Sequence, residues 1–211
     1  MDLRSKRAWR VELVAAAVPA VILAGAMSGC ATHDGPALSG YTCCNFHYEK
    51  LGDGRQNAIR YWISDANWSS LPRISAGTPI RTKTYAEHHI TVEVDVIYTQ
   101  KMTLGLDYGR SQDIDEWARK MIVQDDPRLR IAGWPEPVWR AVRASKVAIG
   151  MTKEQVIVSL GYPPAHETPS LYADQWKYWY GKLDTFLVVW DAEGHVRDVV
   201  AEPQIRSAVM P

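Results

Sequence analysis

The stretch Asp65 to Leu106 is rich in strand signals, and within it residues 80–85 and 89–94 alternate with a period of two and carry β-branched residues, the pattern of half-buried strands. Residues 80–85 and 89–94 are predicted as strands. Residues 76–79 form the turn before the first, and residues 86–88 link the two. Residues 98–104 extend the pair into a meander. The period then changes. Ile114, Trp117, Ala118, Met121 and Ile122 fall at i, i+3, i+4, i+7 and i+8, one face of an amphipathic helix. Asp113, with Glu116 three residues on, is its start signal, and Asp125-Asp126-Pro127 its stop.

A second cycle follows. Residues 137–144 read as a short helix with Val138 and Val142 one turn apart. Thr152 and Gln155 stand at the N-cap and N3 spacing of a capping box, and Met151 and Val156 at the N′ and N4 spacing of a hydrophobic staple. The helix these devices predict, residues 153–160, buries Val156, Ile157 and Leu160. Gly161 suits the position after its end, and Pro163-Pro164 prevents continuation. Residues 176–180, 185–190 and 195–201 are then three strands, joined by turns at 181–184 and 191–194. The expected fold class is α+β. A C-terminal module of helix, helix and a three-stranded antiparallel sheet is preceded by a small mainly-β domain with one helix. Within that domain the segment Leu71-Pro72-x-Ile74-x-Ala76-Gly77-Thr78-Pro79-Ile80 resembles the opening of small SH3-like barrels found in envelope proteins.

The N-terminus changes the picture from a plain globular chain. Arg4, Lys6, Arg7 and Arg10 precede an uncharged run, residues 13–29, which is short for a spanning helix and carries Pro19. This is the basic and apolar layout of an export signal. The run ends in Met27-Ser28-Gly29-Cys30, which resembles a lipobox, so Cys30 is expected to be lipidated after removal of residues 1–29, with palmitate among its acyl chains. In the Gram-negative lipoproteins it resembles, an Asp after the cysteine retains the protein in the inner membrane. Ala31 therefore favours the outer membrane, with the fold facing the periplasm. Residues 30–45 read as lipidated cysteine and tether, with Gly35, Pro36, Ser39 and Gly40.

Charge and chemistry narrow the function. Without residues 1–29 the chain keeps 20 Lys and Arg against 22 Asp and Glu, which offers no electrostatic footprint for nucleic acid. Nine Trp and ten Tyr against two Phe suit interfaces and half-buried sheet faces. Cys43 and Cys44 could form a disulfide between neighbours, pair with another chain or stay as thiols. Adjacent cysteines do not readily chelate one tetrahedral ion, even with His33 and His47 close by in sequence, so no metal ligand is assigned. His88 and His89 point to opposite faces of a strand. No nucleophile motif, zinc motif or phosphate-binding glycine loop occurs, so no catalytic residue and no cofactor is assigned.

The C-terminal residues carry a resemblance. Gly150-Met151-Thr152, Gln155-Val156, Leu160-Gly161-x-Pro163, Trp176-x-Tyr178 and the closing Asp191-x-x-Gly194 together resemble the SmpA/OmlA (BamE-like) outer-membrane lipoprotein family over residues 135–203. The resemblance implies a non-enzymatic protein-binding or scaffolding module, with the β-barrel assembly machinery or another envelope protein as partner. Residues 46–130 form the additional domain before it. The same helix-helix-sheet layout occurs in β-lactamase inhibitor proteins, so a module that binds a periplasmic hydrolase is the alternative, and a thiol or metal protein built on Cys43, Cys44 and His47 a third.

Overall fold

The computed structural model describes residues 32–53, 58–96 and 99–211, so Cys30 and residues 1–29 lie outside it. The chain opens with β1 (Thr32–His33), β2 (Ser39–Thr42), β3 (Phe46–His47), β4 (Glu49–Asp53), β5 (Ala58–Ser64) and β6 (Arg73–Ile74). The meander follows as β7 (Pro79–Ala86), β8 (His89–Asp95) and β9 (Thr99–Gly105). Seven of these strands and a later one build a large mixed sheet in the order β2-β7-β8-β9-β5-β4, with β1 also on β7. Alternation on β8 buries Ile90, Val92 and Val94, and α1 (Ile114–Met121) lays Ile114, Trp117, Ala118 and Met121 toward the core. Asp113 caps α1 by accepting from the backbone N–H groups of Asp115 and Glu116. The chain then adds β10 (Ile122–Val123) to the free edge of β2.

The segment expected as a tether is part of this sheet. Thr32 and His33 pair with Ala86 and Tyr85, and Ser39, Gly40 and Tyr41 with Arg81, Ile80 and Pro79. Between them Gly35 lies flat on the Tyr85 ring, where an added Cβ would come within 2.4 Å. The Tyr85 hydroxyl donates to the Pro36 carbonyl at 2.7 Å.

The second half contains α2 (Pro127–Ile131), α3 (Glu136–Arg143), α4 (Lys153–Leu160), β11 (Gln175–Trp179), β12 (Thr185–Trp190), β13 (Val196–Val200) and α5 (Pro203–Val209). The capping box of α4 is present in both directions. Thr152 Oγ accepts from the Gln155 N–H, and Gln155 Oε1 accepts from the Thr152 N–H at 2.9 Å. Trp176, Tyr178, Phe186, Val188 and Trp190 alternate inward from β11 and β12 onto Met151, Val156 and Leu160. Asp125-Asp126-Pro127, expected only as a stop, also starts a helix: Asp126 caps α2, and Pro127 needs no N–H at its first turn.

The expected fold class is corrected by this arrangement. The molecule is mixed α/β. Its dominant feature is one large sheet with a parallel pairing, β5 beside β9 through Trp62–Thr103, Ile63–Leu104 and Ser64–Gly105, which an SH3-like meander does not contain. Nor is the last third a self-contained helix-helix-three-strand module. α2 precedes it, α5 closes over it, and Ala76 from the first half is buried in its core. The physical reason is that these cores share polar and aromatic contacts. The Tyr108 ring stacks on His166 at 5.4 Å and on Trp179 at 5.9 Å. Lys182 Nζ meets Glu49 at 2.8 Å and lies 5.2 Å over the Trp68 ring.

Candidate functional site

At the junction of the two cores a closed set of buried polar side chains joins the loops beside β3 to the ends of α3 and α4. Asn45 Nδ2 donates to the Val142 carbonyl at 2.7 Å, to Ser145 Oγ at 3.0 Å and to the Ser159 carbonyl at 3.0 Å. Its Oδ1 accepts from the Ala76 N–H at 2.9 Å. Asn67 Oδ1 accepts the His47 backbone N–H at 2.7 Å and faces its Nδ1 at 3.3 Å. Asn67 Nδ2 donates to the Asn45 carbonyl at 2.9 Å and the Leu160 carbonyl at 2.6 Å. His47 Nε2 lies 3.1 Å from Ser145 Oγ. Among the described residues the only non-glycine positive φ angles are those of Asn67 (44°) and Ser145 (52°), the two residues that hold this imidazole.

Local folding explains Ser145. It follows the end of α3 in the left-handed position where glycine is usual. Its N–H bonds to the Val142 carbonyl, and the Lys146 N–H reaches the Ala141 carbonyl, a Schellman termination. A serine there accepts the backbone cost because its hydroxyl is needed by His47 and Asn45.

The partners assign the protons. Nδ1–H of a neutral His47 donates to Asn67, and Nε2 accepts the Ser145 hydroxyl proton. Burial pushes the His47 pKa down to about 4; the Asn67 bond opposes this, and the Arg73 charge adds to it. Serine, imidazole and a third orienting group in this sequence have the layout of an activated nucleophile. Here, however, Asn45 occupies a lone pair of Ser145 Oγ, and His47 and Ser145 are only 2% and 7% exposed. The arrangement is chemically a latch between elements, in which the two N–H of the Asn45 amide are shared among three acceptors.

Above Asn45 lies an open cleft of about 420 Å³, walled by Ala76, Ile131, Ala132, Trp139 and Val142, with Ser75, Arg128 and Arg143 also on its lining. Arg128 is neutralised by Asp126 through paired hydrogen bonds. The Arg143 guanidinium lies 5.5 Å from the Trp139 ring centre. Arg73 lies within Coulombic reach of it, its pKa held below the usual arginine value by part burial and then by the Arg143 charge. Among the described residues neither Arg73 nor Arg143 meets a carboxylate within ion-pair distance, whereas Arg130 and Arg140 pair with Glu154 and Glu136.

Of the residues singled out in sequence, most have packing roles. Gly150 (φ +84°) turns exposed chain, Met151 is fully buried, and Val156, Leu160 and Trp176 are core. Pro163 is buried just past the end of α4. Gly161 (φ +84°) ends α4, and its carbonyl accepts the Tyr178 hydroxyl proton at 3.1 Å. A Cβ on Gly161 would come within 2.6 Å of Asn67 Nδ2. The motif positions Leu160, Gly161 and Tyr178 are thereby brought to the latch. Thr152, Gln155 and Met151 remain at the other end of α4. Cys43 and Cys44 are bonded to each other and buried at the turn from β2 to β3, and among the described residues no group of His, Cys, Asp or Glu is placed to hold a metal. Cys30 lies outside the described residues. Asn45, Asn67, Ser145, Arg73, Arg143 and Trp139 were not marked by any motif; a serine just past a helix end, where glycine is expected, is the one local signal that points to the site.

Among the described residues no helix is long and apolar enough to cross a membrane. Comparison with protein-family models, with curated proteins and with solved structures finds no match to this chain.

Proposed function

We propose that the chain is a lipoprotein of the bacterial envelope, acylated at Cys30 and held at the periplasmic face of the outer membrane. In this reading it acts by binding another protein, in the manner of the SmpA/OmlA (BamE-like) lipoproteins its last third resembles. The observation that carries the reading is the basic stretch and uncharged run that end in Met27-Ser28-Gly29-Cys30. A signal of that layout places the thiol where diacylglycerol is added, and each buried methylene of the added chains contributes ~0.8 kcal/mol to membrane attachment.

The test is metabolic labelling. Cells fed radiolabelled palmitate should incorporate it into this chain, and Cys30→Ser should abolish the label and release the protein from the membrane fraction. Unlabelled protein, or a C30S variant that stays membrane-bound and fully processed, defeats the proposal. Mild cross-linking before detergent extraction should recover an envelope protein with the wild-type chain.

A further inference from the structure

We propose that the cleft between α2 and α3 is the partner-binding site and that its occupant is an acidic peptide segment, one that presents an apolar side chain next to a carboxylate. The inference rests on the protein-binding reading above and names the chemistry of its partner.

Three observations converge. The first is shape. Ala76, Ile131, Ala132, Trp139 and Val142 wall about 420 Å³ of open space, within the range of clefts that enclose a few side chains. Trp139 is only half-buried, and a tryptophan flank on an apolar recess is the kind of anchor that dominates protein interfaces. The second is charge. The cleft lining carries two arginines and no acid, and only Arg128 is neutralised. Arg143 lines the cleft with its guanidinium against Trp139 and no carboxylate at ion-pair distance among the described residues, and Arg73, outside the lining, is within Coulombic reach of it. Placing like charges together costs energy that an incoming carboxylate recovers, and a guanidinium binds a carboxylate by paired, directional hydrogen bonds. The third is rigidity. The cleft floor is Asn45, whose amide is fixed by bonds to Val142, Ser145, Ser159 and Ala76. A floor already ordered in the free protein loses little entropy on binding. The apolar wall and the adjacent positive charge therefore select for both features at once, apolar and acidic, on one extended segment.

The experiment uses the full chain purified in detergent and a fluorescein-labelled hexapeptide of alternating leucine and glutamate, with binding read by fluorescence polarisation. Saturable binding is expected. Replacing glutamate by glutamine, or leucine by serine, in the peptide should weaken it at least tenfold. The double variant R73Q with R143Q should weaken it as much while melting like wild type. Ala132→Trp, which fills the cleft without altering its charge, should do the same. The inference is overturned by equal binding of the glutamine peptide, by variants that bind as wild type does, or by displacement of the peptide by equimolar inorganic phosphate or laurate. Either displacement would mark a simple anion site or an acyl-chain site. The assay does not depend on lipid, so peptide binding by a chain that takes up no palmitate leaves the cleft standing while the lipoprotein reading falls. A partner captured equally by the double variant in cells has the reverse meaning.

Discussion

His47 is the residue whose chemistry is most altered by the fold. It is buried and neutral, its Nδ1–H given to Asn67 and its Nε2 accepting from Ser145. Its pKa falls from 6.5 to about 4 on folding, so the unfolded chain takes up the proton first. His47 therefore contributes its full stabilisation above about pH 6.5 and loses it as pH drops toward 4, a loss of about 3 kcal/mol over that window. Below the folded value the loss levels off, because both states are then protonated. Thermal melts from pH 7.5 to 4 should show the decline, and His47→Gln, neutral throughout, should lower stability at pH 7.5 and remove one proton's worth of slope, so that its deficit against wild type shrinks as the pH falls. An unchanged slope in H47Q would mean that the imidazole is not held neutral in the folded chain.

At the scale of elements, α4 shows what local sequence can determine. Its cap, N3 glutamine, staple and closing glycine all lie within residues 151–161; the cap, the glutamine and the glycine satisfy backbone groups of the same helix, and the staple residues Met151 and Val156 join its apolar core. Thr152→Ala removes the side-chain acceptor for the Gln155 N–H and should cost about 1 kcal/mol, read as a lowered denaturation midpoint with unchanged slope. The meander and α1 were legible for the same reason, since period and caps are local. What escaped the sequence depends on distant partners. The parallel match of β5 to β9 joins residues about forty apart and leaves no mark in the strand's own alternation. α2 was hidden by its own start signal, because Asp126-Pro127 serves equally as a stop. The latch was hidden more deeply: Asn45 reaches residues 97 to 114 positions away, and an asparagine in a loop is ordinarily a turn residue. Gly161 was read as a helix terminator. It also has to be glycine because the Asn67 amide lies against it, a reason that exists only once the two halves meet.

At the scale of the whole molecule, the pairing of β1 with β7 ties the proposed anchor to one end of the large sheet. Thr32 lies opposite Ala86, at the close of β7. Only Ala31 separates Cys30 from Thr32, and two residues span at most ~7 Å. Under the proposed lipidation, membrane attachment therefore enters the described fold at Thr32, beside the turn of Glu87 and His88. The opposite end of β8, where Val96 is 44% exposed, lies about 20 Å further along the strand by its rise per residue. Single reporters distinguish the two ends, since Cys43 and Cys44 are bonded to each other. A nitrobenzoxadiazole group on His88→Cys should be strongly quenched by brominated lipids when the lipidated chain is reconstituted in vesicles, and the same group on Val96→Cys should be quenched much less. Equal quenching at both sites would mean that the sheet lies flat on the bilayer or that β1 leaves β7 when the protein is anchored. Stronger quenching at Val96 would invert the orientation and place the membrane at the far end of the sheet, which a two-residue spacer cannot reach.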